Sequence, residues 1–143
     1  MLDDLVLGTL LIAATVVFQM LGLMAVSRAI APVTGWMRVD RRHGHMLAMV
    51  LVVLGIFVVL GVEIWTWALA YSFLDLFADL ETALYFSLST FCTLGYGDIV
   101  PPAEWRVLVA LEGVSGFLLI GWSTTYLIAV GIRIGPFQQG EHF

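Results

Sequence analysis

The chain has 143 residues, 61% of them hydrophobic and 12% charged, with a mean hydropathy of +1.00 and a formal net charge of -5. These values exclude an ordinary soluble domain, and an acidic balance with no basic tract points to neither nucleic acid nor an anionic lipid headgroup as a partner. The single cysteine, Cys92, excludes an intrachain disulfide, and no Cys or His cluster has the spacing of a zinc or redox centre, so neither a cofactor nor enzyme chemistry is expected.

The first element is an uncharged apolar run from Leu5 to Val26. It opens with Asp3 and Asp4 where a signal peptide needs basic residues, and it is too long for the apolar region of one, so it reads as a spanning helix. A polar stretch with Arg28, Arg38, Arg41 and Arg42 follows, then a second run from Met46 to Tyr71 holding only Glu63. A third run, Val107 to Ile132, holds only Glu112. Each run can cross a bilayer, because about 20 apolar residues at ~1.5 Å rise cover the ~30 Å hydrocarbon core.

Arginine sets the expected orientation. If the runs alternate in direction, Arg28, Arg38, Arg41, Arg42 and Arg133 share one side, and that side is expected to be cytoplasmic. The N-terminus then lies outside, and the outer face carries Asp3, Asp4, Asp75, Asp79, Glu81, Asp98 and Glu104 against Arg106 alone, a distribution that attracts cations. Trp36, Trp65, Trp67 and Trp105 sit near the run ends as interfacial anchors do. Six arginines without a lysine point to a GC-rich bacterial genome and hence to a bacterial inner membrane. No run holds a basic series, so no voltage sensor is expected.

The connection between the second and third runs must leave and return on one face, yet it is largely apolar. Within it, Glu81 to Cys92 predicts a helix of ~18 Å, about half a membrane thickness, with Asp79 as N-cap and Glu81 favourably placed in the first turn. A half-length helix followed by glycine-rich backbone cannot face lipid, because each unpaired carbonyl there costs several kcal/mol; it fits only along a watery pathway. The C-terminal end of its dipole would favour a cation near the midplane.

The segment that ends this helix, Ser89-Thr90-Phe91-Cys92-Thr93-Leu94-Gly95-Tyr96-Gly97-Asp98, resembles the pore helix end and selectivity filter of the tetrameric potassium channel family. The resemblance covers Met46 to Ile132 as outer helix, pore loop and inner helix. Leu94 departs from the commoner Val or Ile, at a position that contributes a backbone carbonyl and a packed side chain. The run Leu5 to Val26 is additional to the minimal two-helix pore of the family.

The resemblance implies an ion-binding set. Thr93 would supply its carbonyl and hydroxyl at the inner end, and Leu94, Gly95 and Tyr96 their carbonyls above it, replacing the hydration shell of K+. Gly95 and Gly97 permit this because they enter positive φ without a Cβ penalty. The Tyr96 ring is expected in an aromatic cuff of Tyr85 and Phe86, and Asp98 behind the outer mouth with Tyr85 as hydrogen-bond partner. Glu112 is expected behind the filter near Ser89 and Thr90, where many relatives carry a glutamate at the position of Ser89; the alternative is a protonated or water-bonded carboxyl near Glu63. Gly113, Gly116 and Gly121 fit close helix packing, with Gly116 the candidate hinge by its placement below the filter.

Other positions stay open on the residues alone. Ser123, Thr124 and Thr125 either hydrate an inner cavity or bond their own backbone; Cys92 reads as a packed thiol; His43 and His45 read as solvated interfacial groups rather than pH sensors. The run from Arg38 to Arg42 reads as resting on lipid headgroups, with a gating linker as the alternative.

Together these readings predict an all-helical integral membrane protein: three transmembrane helices, a re-entrant pore helix and filter loop between the second and third, and four identical subunits around a central pore. Residues 1–45 form the extra helix and a cytoplasmic linker, 46–132 the pore domain, and 133–143 a short cytoplasmic tail. The expected function is passive, selective K+ conduction, with K+, the lipid bilayer and three further copies of the chain as partners. The alternatives are a poorly selective cation channel and a non-conducting regulatory membrane subunit.

Overall fold

The structure is a computed structural model that describes the backbone of residues 2–36 and 41–134 and the side chains of residues 2–31 and 44–133. Arg38, the tail from residue 135, and the side chains of Trp36, Arg41, Arg42 and His43 lie outside the described residues. The described residues are helical and contain no strand: α1 spans Leu2–Trp36, α2 Arg41–Phe73, α3 Leu80–Phe91 and α4 Arg106–Ile134, the last entered through a 3-10 turn at Ala103–Trp105. Three candidate membrane spans, Leu2–Ala31, Gly44–Phe73 and Ala103–Arg133, are long and apolar enough to cross a bilayer. They contain the three apolar runs and extend past them, since a helix keeps its internal hydrogen bonds beyond the apolar boundary.

These helices are apolar on all sides, so burial inside one chain does not separate a core face from a surface face. Leu10, Phe57 and Phe117 are each more than 60% exposed, an outer surface fit for lipid or further protein and not for water. What fixes the helix pairs is small residues. Gly22 of α1 lies against Val59 of α2, and Gly55 of α2 against Val26 of α1, in each case so close that a Cβ would meet the valine methyls. Alternate small and large residues on the two faces bring the helix axes together and run α1 antiparallel to α2.

α1 also packs on α4, and here the contacts are polar. The buried Gln19 donates from Nε2 to the Leu119 carbonyl at 3.2 Å and to Ser123 Oγ at 2.8 Å, while Ser27 and Tyr126 share a hydroxyl bond of 2.7 Å. In an apolar medium such bonds contribute about 0.6–2 kcal/mol each and specify register more sharply than apolar contact does. α3 sits in the opening between α2 and α4, and the core around it contains Trp67, Tyr71, Phe86 and Leu108. Tyr71 packs edge-on against both Phe77 and Phe86, with ring centroids 6.1 and 5.9 Å away.

Candidate functional site

The site begins with the start of α3. Asp79 has extended backbone, φ -150° and ψ 161°, and its carboxylate takes the Thr82 N–H at 2.7 Å and the Thr82 hydroxyl at 2.9 Å. The backbone N–H of Thr82 holds the Asp79 carboxyl below the usual carboxylate range. A carboxyl whose folded value is depressed stabilises above its unfolded value near 4 and loses that contribution as pH falls through the folded value. Asp79→Ala is therefore expected to lower the thermal unfolding temperature at neutral pH. The gap from the parent should close as pH drops below about 4, which a pH series of melting curves would read.

The other end of α3 carries the sequence that resembles a filter. The Leu94 N–H bonds the Ser89 carbonyl at 2.9 Å, and the Thr93 N–H bonds the Thr90 carbonyl at 2.9 Å. These two bonds form a Schellman motif, which needs its C′ residue in the left-handed region and normally uses glycine there. Thr93 occupies that position with φ 58°. For a β-branched residue this is a true outlier, a strain of about 1–3 kcal/mol of the kind that collects at functional sites. Gly95 and Gly97 follow with φ 56° and 77°, while Leu94 and Tyr96 between them keep negative φ.

The handedness of the backbone thus alternates from 93 to 97. Such a chain carries its N–H groups on one edge and its carbonyls on the other. The first three N–H groups of that edge are occupied, because Thr93, Leu94 and Gly95 all donate back to the Ser89 or Thr90 carbonyl. The carbonyls of Thr93, Leu94, Gly95 and Tyr96 accept no hydrogen bond among the described residues. Residues 93–98 are all exposed in the single chain.

Side chains brace this loop from behind. The Tyr85 hydroxyl donates to Asp98 Oδ2 at 2.8 Å, and that bond to a carboxylate raises the phenol above its ordinary value. Cys92 is the C-cap of α3 and half-buried, and burial pushes its thiol up. Tyr96 makes no ring contact among the described residues and is 69% exposed, so the expected cuff of Tyr85 and Phe86 around Tyr96 is not formed within one chain. The physical reason is the rotation of α3, which turns Phe86 inward onto Tyr71 and Phe77.

Glu112 is fully buried behind α3. Its carboxyl meets the Tyr71 hydroxyl at 2.5 Å and the Ser87 hydroxyl at 2.5 Å. Its partners are therefore Tyr71 on α2 and Ser87 on α3, two residues before Ser89, and not Ser89 and Thr90. Ser89 contributes its carbonyl to the helix cap, and Thr90 presents its carbonyl 3.8 Å from where a Cβ of Gly113 would stand. Glu63 is buried with neither carboxyl oxygen hydrogen-bonded. Neither Ser87 nor Tyr71 belonged to the expected site, and only the three-helix packing brings them to Glu112.

Gly116 supports the end of α3 directly. A Cβ on it would collide with the Phe91 carbonyl oxygen and stand 2.8 Å from the Phe91 carbonyl carbon, so α4 touches the α3 backbone at this glycine. Gly116, the candidate hinge, lies within α4, which is helical throughout Arg106–Ile134. Gly116→Ala is expected to push α3 and α4 apart and to destabilise by about 1–3 kcal/mol, as overpacking does. Thermal unfolding of the purified protein checks this, and an unchanged midpoint would remove the contact from the account.

A family model described as ion channel matches residues 57–133, more than half of the chain. The chain belongs to the ion channel family. The match takes in the second half of α2, all of α3, the loop after it and nearly all of α4, and leaves α1 outside it. Two-pore potassium channel 5 of Arabidopsis thaliana is 35% identical over an alignment of 83 residues that covers 54% of this chain and 18% of that protein. The chain thus spans less than a fifth of the length of that relative. No solved structure matches. The family is one of channels and not of enzymes.

Along the channel's last helix, Thr124 and Thr125 bond their own backbone, at the Ile120 and Gly121 carbonyls. Ser123 is turned the other way, buried against Gln19 of α1. Gly121 has open space beside it.

Proposed function

We propose that this channel conducts K+ selectively through a pore built by four copies of the chain, with the backbone of Thr93 to Tyr96 as one quarter of the filter. The observation that carries the reading is the alternating-handed backbone at Thr93, Gly95 and Gly97, whose first three N–H groups are spent on the end of α3 and whose carbonyls from Thr93 to Tyr96 are unpartnered among the described residues. Carbonyls left without donors at membrane depth need either water or a cation. A ring of four such edges replaces the hydration shell of K+ with fixed oxygens, and the Thr93 hydroxyl adds a ligand at the inner end. The strained Thr93 fits this role, since glycine would cap α3 at lower cost but has no hydroxyl.

In this reading residues 46–132 are the pore domain, α3 is re-entrant, and the arginine-rich ends face the cytoplasm of a bacterial cell, with the N-terminus outside. Apart from K+ no cofactor is required. The deciding experiment is a reversal potential in mixed K+ and Na+ with purified protein in a planar bilayer. A potential near the K+ equilibrium value supports the reading; one near zero leaves a poorly selective cation pore, and absence of current leaves a non-conducting subunit.

Assembly is a separate expected result. One loop supplies a single carbonyl per layer, so the filter is empty on three sides until further copies close it. Native mass spectrometry is expected to give four times the 15.7 kDa chain mass. A monomer or dimer that retains flux would refute the four-fold pore.

A further inference from the structure

We propose that the groove between α1 and α4 at the Arg28 end is a binding site for one anionic phospholipid. The groove has a volume of about 420 Å³, and Met20, Leu23, Met24 and Trp122 give it apolar walls. Ser27, Arg28 and Tyr126 make its other end polar. Along α1 the distance from Met20 to Arg28 is ~12 Å, so the groove runs from an apolar interior to a cationic end. Arg28 stands near the end of the Leu2–Ala31 span, where a spanning helix meets the headgroup layer.

The polar end has donors and no acid. No Asp or Glu lines the groove, and Arg28 has no ion pair among the described residues. Its planar guanidinium suits bidentate contact with a phosphate. Ser27 and Tyr126 share one hydrogen bond of 2.7 Å, which uses one of their two hydroxyl hydrogens and leaves the other to donate to a phosphate or ester oxygen. The charge complementarity commits the site to an anionic lipid. An acyl chain gains little by moving from bilayer to groove, since both are apolar, so the preference must come from the headgroup. Phosphatidylcholine carries a phosphate but cancels it with its own ammonium.

The site also touches the conducting part of the chain. Trp122 and Tyr126 flank Ser123, through which α1 holds α4. The proposal requires only that the chain spans a bilayer, so it stands apart from potassium selectivity and fails independently of it.

The test uses the full chain in nanodiscs of dioleoyl phosphatidylcholine and dioleoyl phosphatidylglycerol in equal amounts, extracted and read by native mass spectrometry. Retained phosphatidylglycerol should exceed phosphatidylcholine ~5-fold, the effect of one basic residue near a membrane surface. Arg28→Gln should bring the ratio to about one, whereas Arg133→Gln, which removes a basic residue outside the groove, should leave it. Met24→Trp, which fills the groove without changing charge, should abolish the preference. Equal retention of the two lipids by the parent overturns the proposal, as does a preference that survives Arg28→Gln. If Met24→Trp alters the oligomer mass and not the lipid ratio, the groove is an interface between copies and the lipid site is refuted. Should Arg28→Gln fail to fold, Met24→Trp decides alone, by whether the preference is lost or kept.

Discussion

In the proposed pore, Gly97→Ala is expected to abolish selective K+ conduction while leaving the three spanning helices folded. Gly97 has φ 77° and no atom within 4 Å of where a Cβ would stand, so within one chain the obstacle is conformational and not a collision. An L-residue held in the left-handed region costs roughly 1–2 kcal/mol, and a four-fold assembly would repeat that cost at every subunit. The cheapest relief is to return φ to negative values, which turns the adjoining peptide plane and takes its carbonyl out of the ladder. With one ring of oxygens lost, the energetic distinction between K+ and Na+ weakens. The measurement is the reversal potential in mixed ions, expected to move from the K+ value toward zero or to vanish with the current. Parent-like selectivity and conductance in Gly97→Ala would sink the filter assignment.

The second large effect is expected at Glu112, where alanine and glutamine should behave very differently. Ser87 has one hydroxyl hydrogen but stands within reach of two acceptors, the Ile64 carbonyl at 3.0 Å and the Glu112 carboxyl at 2.5 Å. One contact therefore needs a hydrogen from the other side, and a glutamine amide can supply it to Ser87 while its oxygen accepts from Tyr71. Glu112→Gln should keep the α2–α3–α4 junction and flux near the parent. Glu112→Ala strands the buried Tyr71 and Ser87 hydroxyls at about 1–3 kcal/mol each and leaves a cavity besides. It should lower the unfolding midpoint by several degrees and raise the rate at which current inactivates, because the junction lies directly behind α3. Tyr71→Phe should give a smaller loss of the same kind. If Glu112→Ala melts and gates like the parent, Glu112 is only filling space and the bracing role is wrong.

Much of this molecule could be read from residue order because the bilayer imposes one-dimensional rules. A spanning helix needs a certain length of apolar chain, so the three runs could be placed without any knowledge of packing. α3 was legible for a local reason: the Asp79 cap, the acidic first turn and the glycines after Cys92 all act within a few residues. It is Leu80–Phe91 in the structure against an expected Glu81 to Cys92. The positive φ at Gly95 and Gly97 is likewise a local property of glycine.

Other features depend on how helices cross, and apolar helices do not encode that in their pattern. Because α1, α2 and α4 are apolar all round, nothing in their periodicity says which face meets which. Helical spacing directed Glu112 toward Ser89 and Thr90, but the rotation of α3 and the register of α2 hand it to Ser87 and to Tyr71, 41 residues earlier. The same rotation buries Phe86. Thr93 shows the reverse case, since local propensity argues against a β-branched residue at φ 58°, and only the tie from Thr93 and Leu94 to the end of α3 holds it there. The partnership of α1 with α4 was not legible at all, because a lone Gln19 in an apolar run finds Ser123 only through tertiary packing. Sequence by itself determined the spans, the half-length helix and the positive-φ glycines after it, all of which obey rules that act along the chain. Tertiary structure alone decided what braces that backbone, because buried polar groups are satisfied by whichever donors the helix crossings bring within 3 Å, and those crossings are set by small residues on faces that look alike in the sequence.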